Sequence, residues 1–470
     1  MSASIRHSVV ALIMLLLVSA SRVASAQPLR AGNAAYDSIA KRILEAGLKE
    51  LEAFSMLQEL TSKAAHRLSG SQGAAVAVEL TRQMMERRGF DNVHLESIIV
   101  PHWVRGPVEK ATIVKTASRE GIPLTICALG GSIATAAEGI EAEAVEVKSF
   151  DELKALGSRA RGKIIFYNRP LDPTKLGTFE AYSGAVDQRS RGAIEAARLG
   201  GVAVLVRSMT QALDDVPHTG TMNYADTVRK IPAGAVSTVG ADFLSGLLKR
   251  EKTVRVNLTL TCQILPDVPS ANVVGEITGS EKPSEIIVVG GHLDCWDKGT
   301  GAHDDGAGCM HAIEVLNIIK KLGLKPKRTI RAVMFMNEEN GQRGGKGYPV
   351  APERKGEIHV AAVESDRGGF APRGFSVQGD STLLKKVFRW KPLFEQLNAG
   401  QISNGGSGTD VSPLVEKSHA AGFRLLVESH RYFDYHHSDN DTIDKVHPRE
   451  LEMGAIVESL LCYLISEEGL

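Results

Sequence analysis

The chain has few cysteines and no net charge, and both absences exclude classes of protein. Its 470 residues include five cysteines, an odd number with no CxxC pair. Neither a disulfide framework nor a cysteine zinc site is therefore indicated, and buried free thiols are expected. Because 55 basic residues balance 55 acidic ones, neither a nucleic acid nor an anionic membrane is expected as a partner.

Long apolar runs are also missing, apart from one near the N-terminus. Residues 9–18 are apolar, Arg6 and His7 precede them, and residues 24–26 are small. This order is typical of a secretory signal, so we expect cleavage after Ala26. A membrane anchor is the alternative, but the run is short for a spanning helix. We therefore expect an exported protein, in the medium, a periplasm or an organelle lumen, whose mature chain does not span a membrane.

The length of the chain and the change in its sequence pattern predict a catalytic domain that is interrupted by an inserted module. A chain of 470 residues is too long for one ordinary core. Residues 27–120 form the N-terminal part of the predicted catalytic domain, and residues 265–470 form its main part. Residues 121–264 contain strands around one helix but no ligand-spaced cluster of His, Asp and Glu. This segment is typical of a lid or spacer.

The second half alternates strands, loops and helices, which predicts an α/β fold with a mainly parallel sheet covered by helices. The predicted strands are 285–290, 330–336, 359–363 and 422–426, and the predicted helices are 307–322 and 449–465. The last helix is expected to be amphipathic and to close the fold.

Acids and imidazoles follow each of these four strands. The residues are His292, Asp294, Asp304 and Asp305, then Glu338 and Glu339, then Glu364 and Asp366, then His436, His437, Asp439 and Asp441. The first group alone could be a solvated acidic loop that caps a helix. Because ligands bind beyond the carboxyl ends of the strands in such sheets, four groups at one edge would form one cluster. Carboxylates in a crevice repel one another unless cations neutralise them, so a metal site is predicted.

The residue types suit zinc, and their number suits two ions. Two imidazoles and several carboxylates without a cysteine are nitrogen and oxygen ligands of the kind that zinc accepts. One ion would need only three protein ligands, so the excess predicts two ions that share a bridging carboxylate. In the pair Glu338-Glu339, one side chain could bind metal while its neighbour accepts a proton from water.

These motifs resemble the co-catalytic di-zinc exopeptidases of the aminopeptidase Y type. The resemblance rests on residues 291–306, 337–339, 364–366 and 436–442, and it extends from about Leu44 to Ile465. A carboxypeptidase branch of that family is similar at residues 101–106, 128–133, 149–153 and 408–410. The family implies a three-layer zinc-exopeptidase fold with a mainly parallel central sheet, and an inserted domain of the protease-associated type.

The resemblance also implies a set of ligands. One zinc ion would be held by His292 and Asp366, and the other by Glu339 and His437. Asp304 would bridge the two ions. The family further implies a cis peptide bond between Asp304 and Asp305.

Supporting roles are implied in the same way. Glu338 would be the general base, and Asp294 would accept the free N–H of His292 and fix its tautomer. The family signature begins at His437, which leaves His436 either to steady the oxyanion or to be an ordinary buried histidine bonded to the backbone. His303 is expected to be a loop residue and not a third imidazole ligand.

The function implied is hydrolysis of short peptides, especially unblocked dipeptides, by a homodimer. Whether the enzyme cleaves from the amino or the carboxyl end of a peptide stays open. A carboxypeptidase needs a cation that faces the substrate carboxylate, but the candidates Arg343, Lys346 and Arg367 could equally be surface charges. An inactive, receptor-like member of the same fold is the alternative, although every ligand position holds a suitable residue. A nucleotide loop at residues 299–301 is disfavoured, since Asp304 and Asp305 would repel phosphate.

Overall fold

The computed structural model describes residues 30–115 and 120–470. The predicted signal segment, residues 1–26, lies outside the described residues. Within the described ranges, no helix combines the length and the apolar character needed to cross a membrane.

The described residues form helices and strands in alternation. The helices are α1 (Arg30–Glu50), α2 (Glu52–Lys63), α3 (Gln72–Arg87), α4 (Phe150–Leu156), α5 (Thr178–Ser183), α6 (Asp187–Ser190), α7 (Gly192–Arg198), α8 (Thr238–Arg250), α9 (Ala307–Lys321), α10 (Arg343–Gly347), α11 (Ser381–Glu395), α12 (Ser412–Ser418), α13 (Tyr432–Tyr435) and α14 (Pro448–Glu468). The strands are β1 (Asp91–Val104), β2 (Glu109–Lys115), β3 (Glu120–Leu124), β4 (Ile126–Ala128), β5 (Ile140–Val147), β6 (Ile164–Tyr167), β7 (Ala203–Arg207), β8 (Ala233–Val236), β9 (Arg255–Leu260), β10 (Gln263–Ile277), β11 (Lys282–His292), β12 (Arg328–Phe335), β13 (Ile358–Glu364), β14 (Pro372–Gln378), β15 (Gln401–Asn404) and β16 (Ala421–Val427).

The larger sheet carries the four strands predicted in the second half of the chain. Its order is β1-β10-β12-β11-β13-β16-β14-β15. The four central strands, β12, β11, β13 and β16, are parallel to one another. The pairs β1/β10, β10/β12 and β16/β14 are antiparallel, whereas the edge pair β14/β15 is parallel. The sheet as a whole is therefore mixed, and the predicted parallel pairing is found at its centre and at one edge. All eight residues of β12 are buried, as expected for a strand with both faces covered.

Helix α14 corrects one prediction, because it is not amphipathic. Most of its residues are buried, around nearly its whole circumference. It packs against α1, α2 and α9 on one side and against strands of the larger sheet on the other. A helix that is covered from both sides needs an apolar surface all round, whereas an amphipathic helix has a single apolar face.

Glu458 on α14 is a buried acid that makes the stability of the fold depend on pH. Neither of its carboxylate oxygens has a hydrogen-bond partner, and burial raises its pKa to about 8. An unfolded glutamate has a pKa of about 4.3, so folding takes up a proton between these values and stability falls by about 1.4 kcal/mol per pH unit as pH rises through them.

We expect Glu458→Gln, which cannot ionise, to become more stable relative to wild type as pH rises. Its advantage should be small near pH 5 and largest near pH 8, as measured by urea unfolding at both values. Glu416→Gln at an exposed site is the control and should show no such trend. A stability difference that is the same at both pH values would contradict the assignment.

The smaller sheet is built from the intervening segment of the chain together with β2, which precedes that segment. Its order is β3-β2-β9-β5-β6-β7-β8-β4, with parallel pairs β5/β6, β6/β7 and β7/β8. It lies directly against the larger unit. A Cβ atom on Gly130 would lie 1.7 Å from the Trp296 ring, so only glycine fits there. Arg105 bridges the two units, since it pairs with Asp297 and donates to the carbonyl oxygen of Ala128.

Candidate metal centre

The carboxyl ends of β11, β12 and β13 and the turn after α13 meet at one cavity of about 460 Å³. Seven of the eight predicted site residues line it: His292, Asp304, Glu338, Glu339, Asp366, His436 and His437. The eighth, Asp294, lies behind the wall and is fully buried.

His292 is the last residue of β11, and two carboxylates face its Nε2 atom. Asp304 Oδ1 lies 3.3 Å from this nitrogen and Asp366 Oδ1 lies 3.6 Å from it. The other ring nitrogen, Nδ1, donates a hydrogen bond of 2.9 Å to the backbone carbonyl oxygen of Asp294. This bond places the proton on Nδ1 and leaves the Nε2 lone pair directed at the carboxylates.

The role predicted for the Asp294 carboxylate is wrong, because its backbone carbonyl takes that role. The Oδ1 atom of Asp294 instead accepts hydrogen bonds from the backbone N–H groups of Asn337 (2.7 Å) and Glu338 (3.0 Å). These donors lose their sheet partners where β12 ends, and a buried donor without a partner is costly. The Asp294 carboxylate therefore fixes the segment that carries Glu338, and the imidazole of His292 is held by the backbone carbonyl of Asp294.

Asp304 faces two imidazoles from the turn Ala302–Gly306, where the backbone angles of Asp304 and Asp305 are not helical. The peptide bond between Asp304 and Asp305 is cis, as the resemblance implied. Asp304 Oδ2 lies 3.2 Å from His437 Nε2, on the side away from His292. Asp441 holds this turn, since its carboxylate accepts hydrogen bonds from the backbone N–H groups of His303 (2.7 Å) and Asp304 (3.1 Å).

Glu339 and His437 form the second part of the cluster. Glu339 Oε2 lies 3.0 Å from His437 Nε2. His436 stacks on His437 with ring centroids 3.5 Å apart, and its Nε2 atom lies 3.8 Å from Asp304 Oδ2. By ligand-atom spacing, one potential metal-binding group is His292, Asp304 and Asp366, and another is Asp304, His436 and His437. Asp304 belongs to both groups.

The side chains of this cluster shift one another's pKa values. Burial acts to lower the pKa of His292, but hydrogen bonds with Asp304 and Asp366 raise it well above its usual value. Burial acts to raise the pKa of Asp304, but His292 and His437 hold it well below its usual value. Burial and the neighbouring Glu339 raise the pKa of Glu338 well above its usual value. The cluster therefore needs positive charge among its carboxylates, as protons or as cations.

The donor set fits metal ions. Glu339 Oε1 is buried without a hydrogen-bond partner, which is costly for a carboxylate oxygen unless a cation faces it. The facing atoms are imidazole nitrogens and carboxylate oxygens, the ligand types that zinc accepts. The five predicted ligands His292, Asp304, Glu339, Asp366 and His437 thus lie together in one cluster.

The segment that forms the smaller sheet closes one side of this cavity. Its lining residues are Phe179, Tyr182, Arg189, Thr221 and Asn223. Backbone contacts hold it directly against the histidine pair: the N–H of Thr219 donates to the carbonyl oxygen of His437 (2.9 Å), and Nδ1 of His218 donates to that of His436 (2.7 Å). The intervening segment therefore supplies part of the cavity wall, although no ligand cluster was found in its sequence.

The geometry agrees with the relationship of this chain to known proteins. The model of peptidase family M28 matches residues 272–460. Carboxypeptidase Q of Bos taurus is 35% identical over 435 residues, which cover 92% of this chain and 89% of that protein. The chain belongs to peptidase family M28.

Solved structures extend the comparison to the fold. A peptidase M28 precursor from Shewanella amazonensis SB2B has 34% sequence identity and a TM-score of 0.86, covering 92% of this chain and 97% of that one. BSAP, a zinc aminopeptidase from Bacillus subtilis, has a TM-score of 0.62 over 87% of this chain and 93% of that one, at 19% identity, and shares the fold. The M28 relationship confirms the prediction of a metallopeptidase.

Arg67 positions the first ligand loop of this M28 chain, and the sequence did not reveal it. The side chain is fully buried, and it donates hydrogen bonds to the carbonyl oxygens of Leu293 (2.5 Å), Thr300 (2.6 Å) and Gly301 (2.7 Å). One guanidinium thereby connects the main chain before residues 295–299 with the main chain after them. The local sequence around Arg67 does not indicate that its side chain contacts residues more than 200 positions away in the chain.

His303, which was expected to be a loop residue, is fully buried. Its ring lies parallel to those of Phe370 and Tyr435, with centroids 4.3 and 5.3 Å away. Its Nδ1 atom accepts a hydrogen bond from the backbone N–H of Gly369, and Nε2 donates to the carbonyl oxygen of Lys445. Both nitrogens are thus used within the protein.

The cations that were considered for substrate binding do not line the cavity. Arg343 and Lys346 are exposed, and Arg367 stacks over the Phe179 ring at 4.1 Å. The five cysteines are buried free thiols, as predicted.

Proposed function

We propose that this M28 chain is an exopeptidase that hydrolyses short peptides with two zinc ions and with Glu338 as the general base. The position of Asp304 is the observation that carries the proposal. Its Oδ1 atom lies 3.3 Å from His292 Nε2, and its Oδ2 atom lies 3.2 Å from His437 Nε2. A carboxylate with one oxygen on each side is suited to bridge two cations.

The proposed ligands divide into two sets around this bridge. His292 and Asp366 would hold one ion, and Glu339 and His437 would hold the other. Bound there, the ions would supply Lewis acidity, which polarises the scissile carbonyl group and lowers the pKa of water. Asp441 and Arg67 support the set by holding the main chain on either side of Asp304 and His292.

Glu338 is the proposed proton carrier. It is half-buried at the cavity wall beside the ligand Glu339, and Asp294 holds its backbone N–H. In this position Glu338 would accept a proton from the attacking water and donate it to the leaving amine. Its pKa is raised well above the usual value by burial and by neighbouring carboxylates, and nearby cations would lower it again towards the working pH.

The two neighbouring histidines are assigned different roles. His437 is the proposed ligand because its Nε2 atom faces both Glu339 and Asp304 at 3.0 and 3.2 Å. His436 is the proposed oxyanion neighbour. Burial lowers its pKa well below the usual value, so the ring would act as a neutral hydrogen-bond donor.

We expect His437→Ala to lose about one zinc ion per chain, because one of the proposed terminal ligands is removed. His436→Ala should keep both ions and lower kcat by roughly 10²-fold, the loss typical of one oxyanion donor. Metal content by mass spectrometry and steady-state kinetics separate the two variants. Loss of zinc from His436→Ala but not from His437→Ala would reverse the assignment.

The proposed substrates are unblocked dipeptides and other short peptides. A cavity of about 460 Å³ is of the size that encloses small ligands. We assign residues 121–264 to an inserted domain of the protease-associated type, between catalytic segments 27–120 and 265–470, and propose that it limits substrate length. Curated relatives such as carboxypeptidase Q support a peptide substrate.

A library of dipeptides, longer peptides and end-blocked peptides tests the function. Hydrolysis should be fastest for unblocked dipeptides, should stop after treatment with a chelator and should return when zinc is added. An inactive receptor-like protein would show no hydrolysis of any peptide and no zinc after careful purification. That result would reject the proposal.

We also propose that the enzyme is exported after cleavage following Ala26 and acts as a homodimer outside the cytoplasm. Sequencing the N-terminus of the mature protein should find Gln27 first, and sedimentation should give twice the mass of the mature chain.

A further inference from the structure

Residues 218–221 of the intervening segment form a loop that contacts the main chain of the histidine pair, and we call it the clamp loop. The backbone N–H of Thr219 donates to the carbonyl oxygen of His437 at 2.9 Å. The Nδ1 atom of His218 donates to the carbonyl oxygen of His436 at 2.7 Å. Both donor residues are fully buried. The clamp loop therefore holds the two peptide groups that flank the proposed ligand His437.

The same loop reaches Glu339, which together with His437 forms the proposed second zinc position. The hydroxyl of Thr221 donates to the backbone carbonyl oxygen of Glu339. The side chains of the two ligands face each other, with Glu339 Oε2 at 3.0 Å from His437 Nε2. One loop of four residues thus contacts the main chain of both terminal ligands of this position.

The conformation of His437 requires support from its surroundings. Its φ is +60°, in the left-handed region that residues other than glycine seldom adopt. The second ring nitrogen of a metal-binding histidine is usually fixed by a hydrogen bond, but Nδ1 of His437 is buried without a partner among the described residues. Gly220 packs against this nitrogen, since a Cβ atom there would lie 2.7 Å from it. The clamp loop therefore restrains both the backbone and the ring of His437.

The proposed first zinc position, at His292 and Asp366, is held by the catalytic segment itself. The Nδ1 atom of His292 donates to the carbonyl oxygen of Asp294, and its backbone N–H donates to Asp305 at 3.1 Å. The residue before Asp366 donates its backbone N–H to β11 at 3.1 Å. All of these contacts lie within residues 265–470. The two metal positions therefore differ in which part of the chain supports them.

The smaller sheet braces the clamp loop from behind. The hydroxyl of Thr219 donates to the carbonyl oxygen of Ala128 at 2.8 Å and accepts a hydrogen bond from Arg105 at 3.2 Å. The backbone N–H of Gly130 donates to the carbonyl oxygen of Gly220 at 3.0 Å. The position of the clamp loop is thus set by the unit to which the intervening segment belongs.

We propose that the clamp loop sets the zinc affinity of the second position, a proposal that rests on the proposed two-zinc centre. His218 and Thr221 act as positioning residues through their side chains, and Thr219 acts through its backbone N–H. The intervening segment completes one metal position and leaves the other independent of it. Loss of a hydrogen bond from the clamp loop releases the second ion and leaves the first in place.

Titration of zinc into the metal-free protein against a competing chelator tests this proposal, with wild type expected to bind two ions. Thr221→Val removes the hydroxyl at nearly constant shape. It should weaken one position by about 10- to 100-fold, as is typical when a group that supports a metal ligand is lost, and leave the other within about threefold of wild type. Thr221→Ser retains the hydroxyl and should keep both affinities close to wild type.

His218 provides a second pair of variants. His218→Leu removes the donor and should weaken the same position. His218→Asn offers an amide N–H near the place of Nδ1 and should retain most of the affinity. Rescue by asparagine and by serine separates loss of a hydrogen bond from loss of the fold. Thr227→Val changes an exposed residue of the same segment and is the control, which should match wild type.

A double variant identifies the position that is weakened. In His437→Ala only the first position should remain occupied, so adding Thr221→Val should not change the remaining affinity. A further loss of affinity in the double variant would overturn the inference.

Two other results would overturn the inference while a wild type with two bound ions leaves the proposed function intact. One is equal weakening of both positions in Thr221→Val. The other is unchanged affinity at both positions in Thr221→Val and His218→Leu. A wild type that binds one ion or none would overturn both the inference and the proposed two-zinc centre.

Discussion

Glu338→Gln is expected to keep its metal and to lose its turnover. Glutamine has nearly the same shape, but it cannot accept a proton from water at neutral pH. Loss of a general base typically costs about 10² to 10⁴ in rate, so kcat should fall by that factor. The ligand Glu339 is untouched, and Asp294 still holds the backbone N–H of residue 338. The measurement is steady-state hydrolysis of a dipeptide together with the zinc content of the same sample.

The matched control is Glu353→Gln, which changes an exposed glutamate outside the cavity. It should retain wild-type turnover and zinc. If Glu338→Gln hydrolyses the dipeptide at nearly the wild-type rate, another residue is the base. If it loses zinc as well as activity, Glu338 is a ligand and the division of roles with Glu339 is wrong.

Asp304→Asn should have the second large effect, because it acts on both proposed metal positions at once. An amide has one oxygen in place of two and no negative charge, so it cannot bridge two cations. We expect the zinc content to fall from two ions to at most one, and kcat/KM to fall on the order of 10³-fold, or several kcal/mol of transition-state stabilisation. Asp226→Asn at an exposed site is the control. Unchanged zinc content in Asp304→Asn would show that this carboxylate is not the bridge.

The strands around the site were predictable because their signals are local. The apolar run at residues 285–290 lies within β11, which continues to His292. The strands predicted at 330–336 and 359–363 correspond to β12 and β13 within two residues at either end. Once parallel strands are identified, the rule that their carboxyl ends share one edge brings His292, Asp366 and the loop after β12 together.

Contacts between distant parts of the chain were not predictable in the same way. The backbone carbonyl of Asp294 takes the place predicted for its side chain, because that carboxylate is needed by the N–H groups of Asn337 and Glu338. Arg67 and Arg189 reach the site from the N-terminal segment and from the intervening segment. Nothing in their local sequence distinguishes a buried arginine from an exposed one.

The outer strands of the larger sheet and helix α14 show a second limit. The antiparallel pairing of β1 with β10 joins residues 91–104 to residues 263–277 across the whole intervening segment. Such pairing depends on tertiary packing and not on local periodicity. In the same way, α14 is buried around nearly its whole circumference because other elements cover it, and its own sequence does not indicate this.

The most direct test of the proposed centre is an anomalous difference map from a crystal of the zinc-loaded protein, recorded on both sides of the zinc absorption edge. We expect two peaks, with Asp304 between them, His292 and Asp366 at one, and Glu339 and His437 at the other. A single peak, or two peaks that do not share Asp304, would contradict the account.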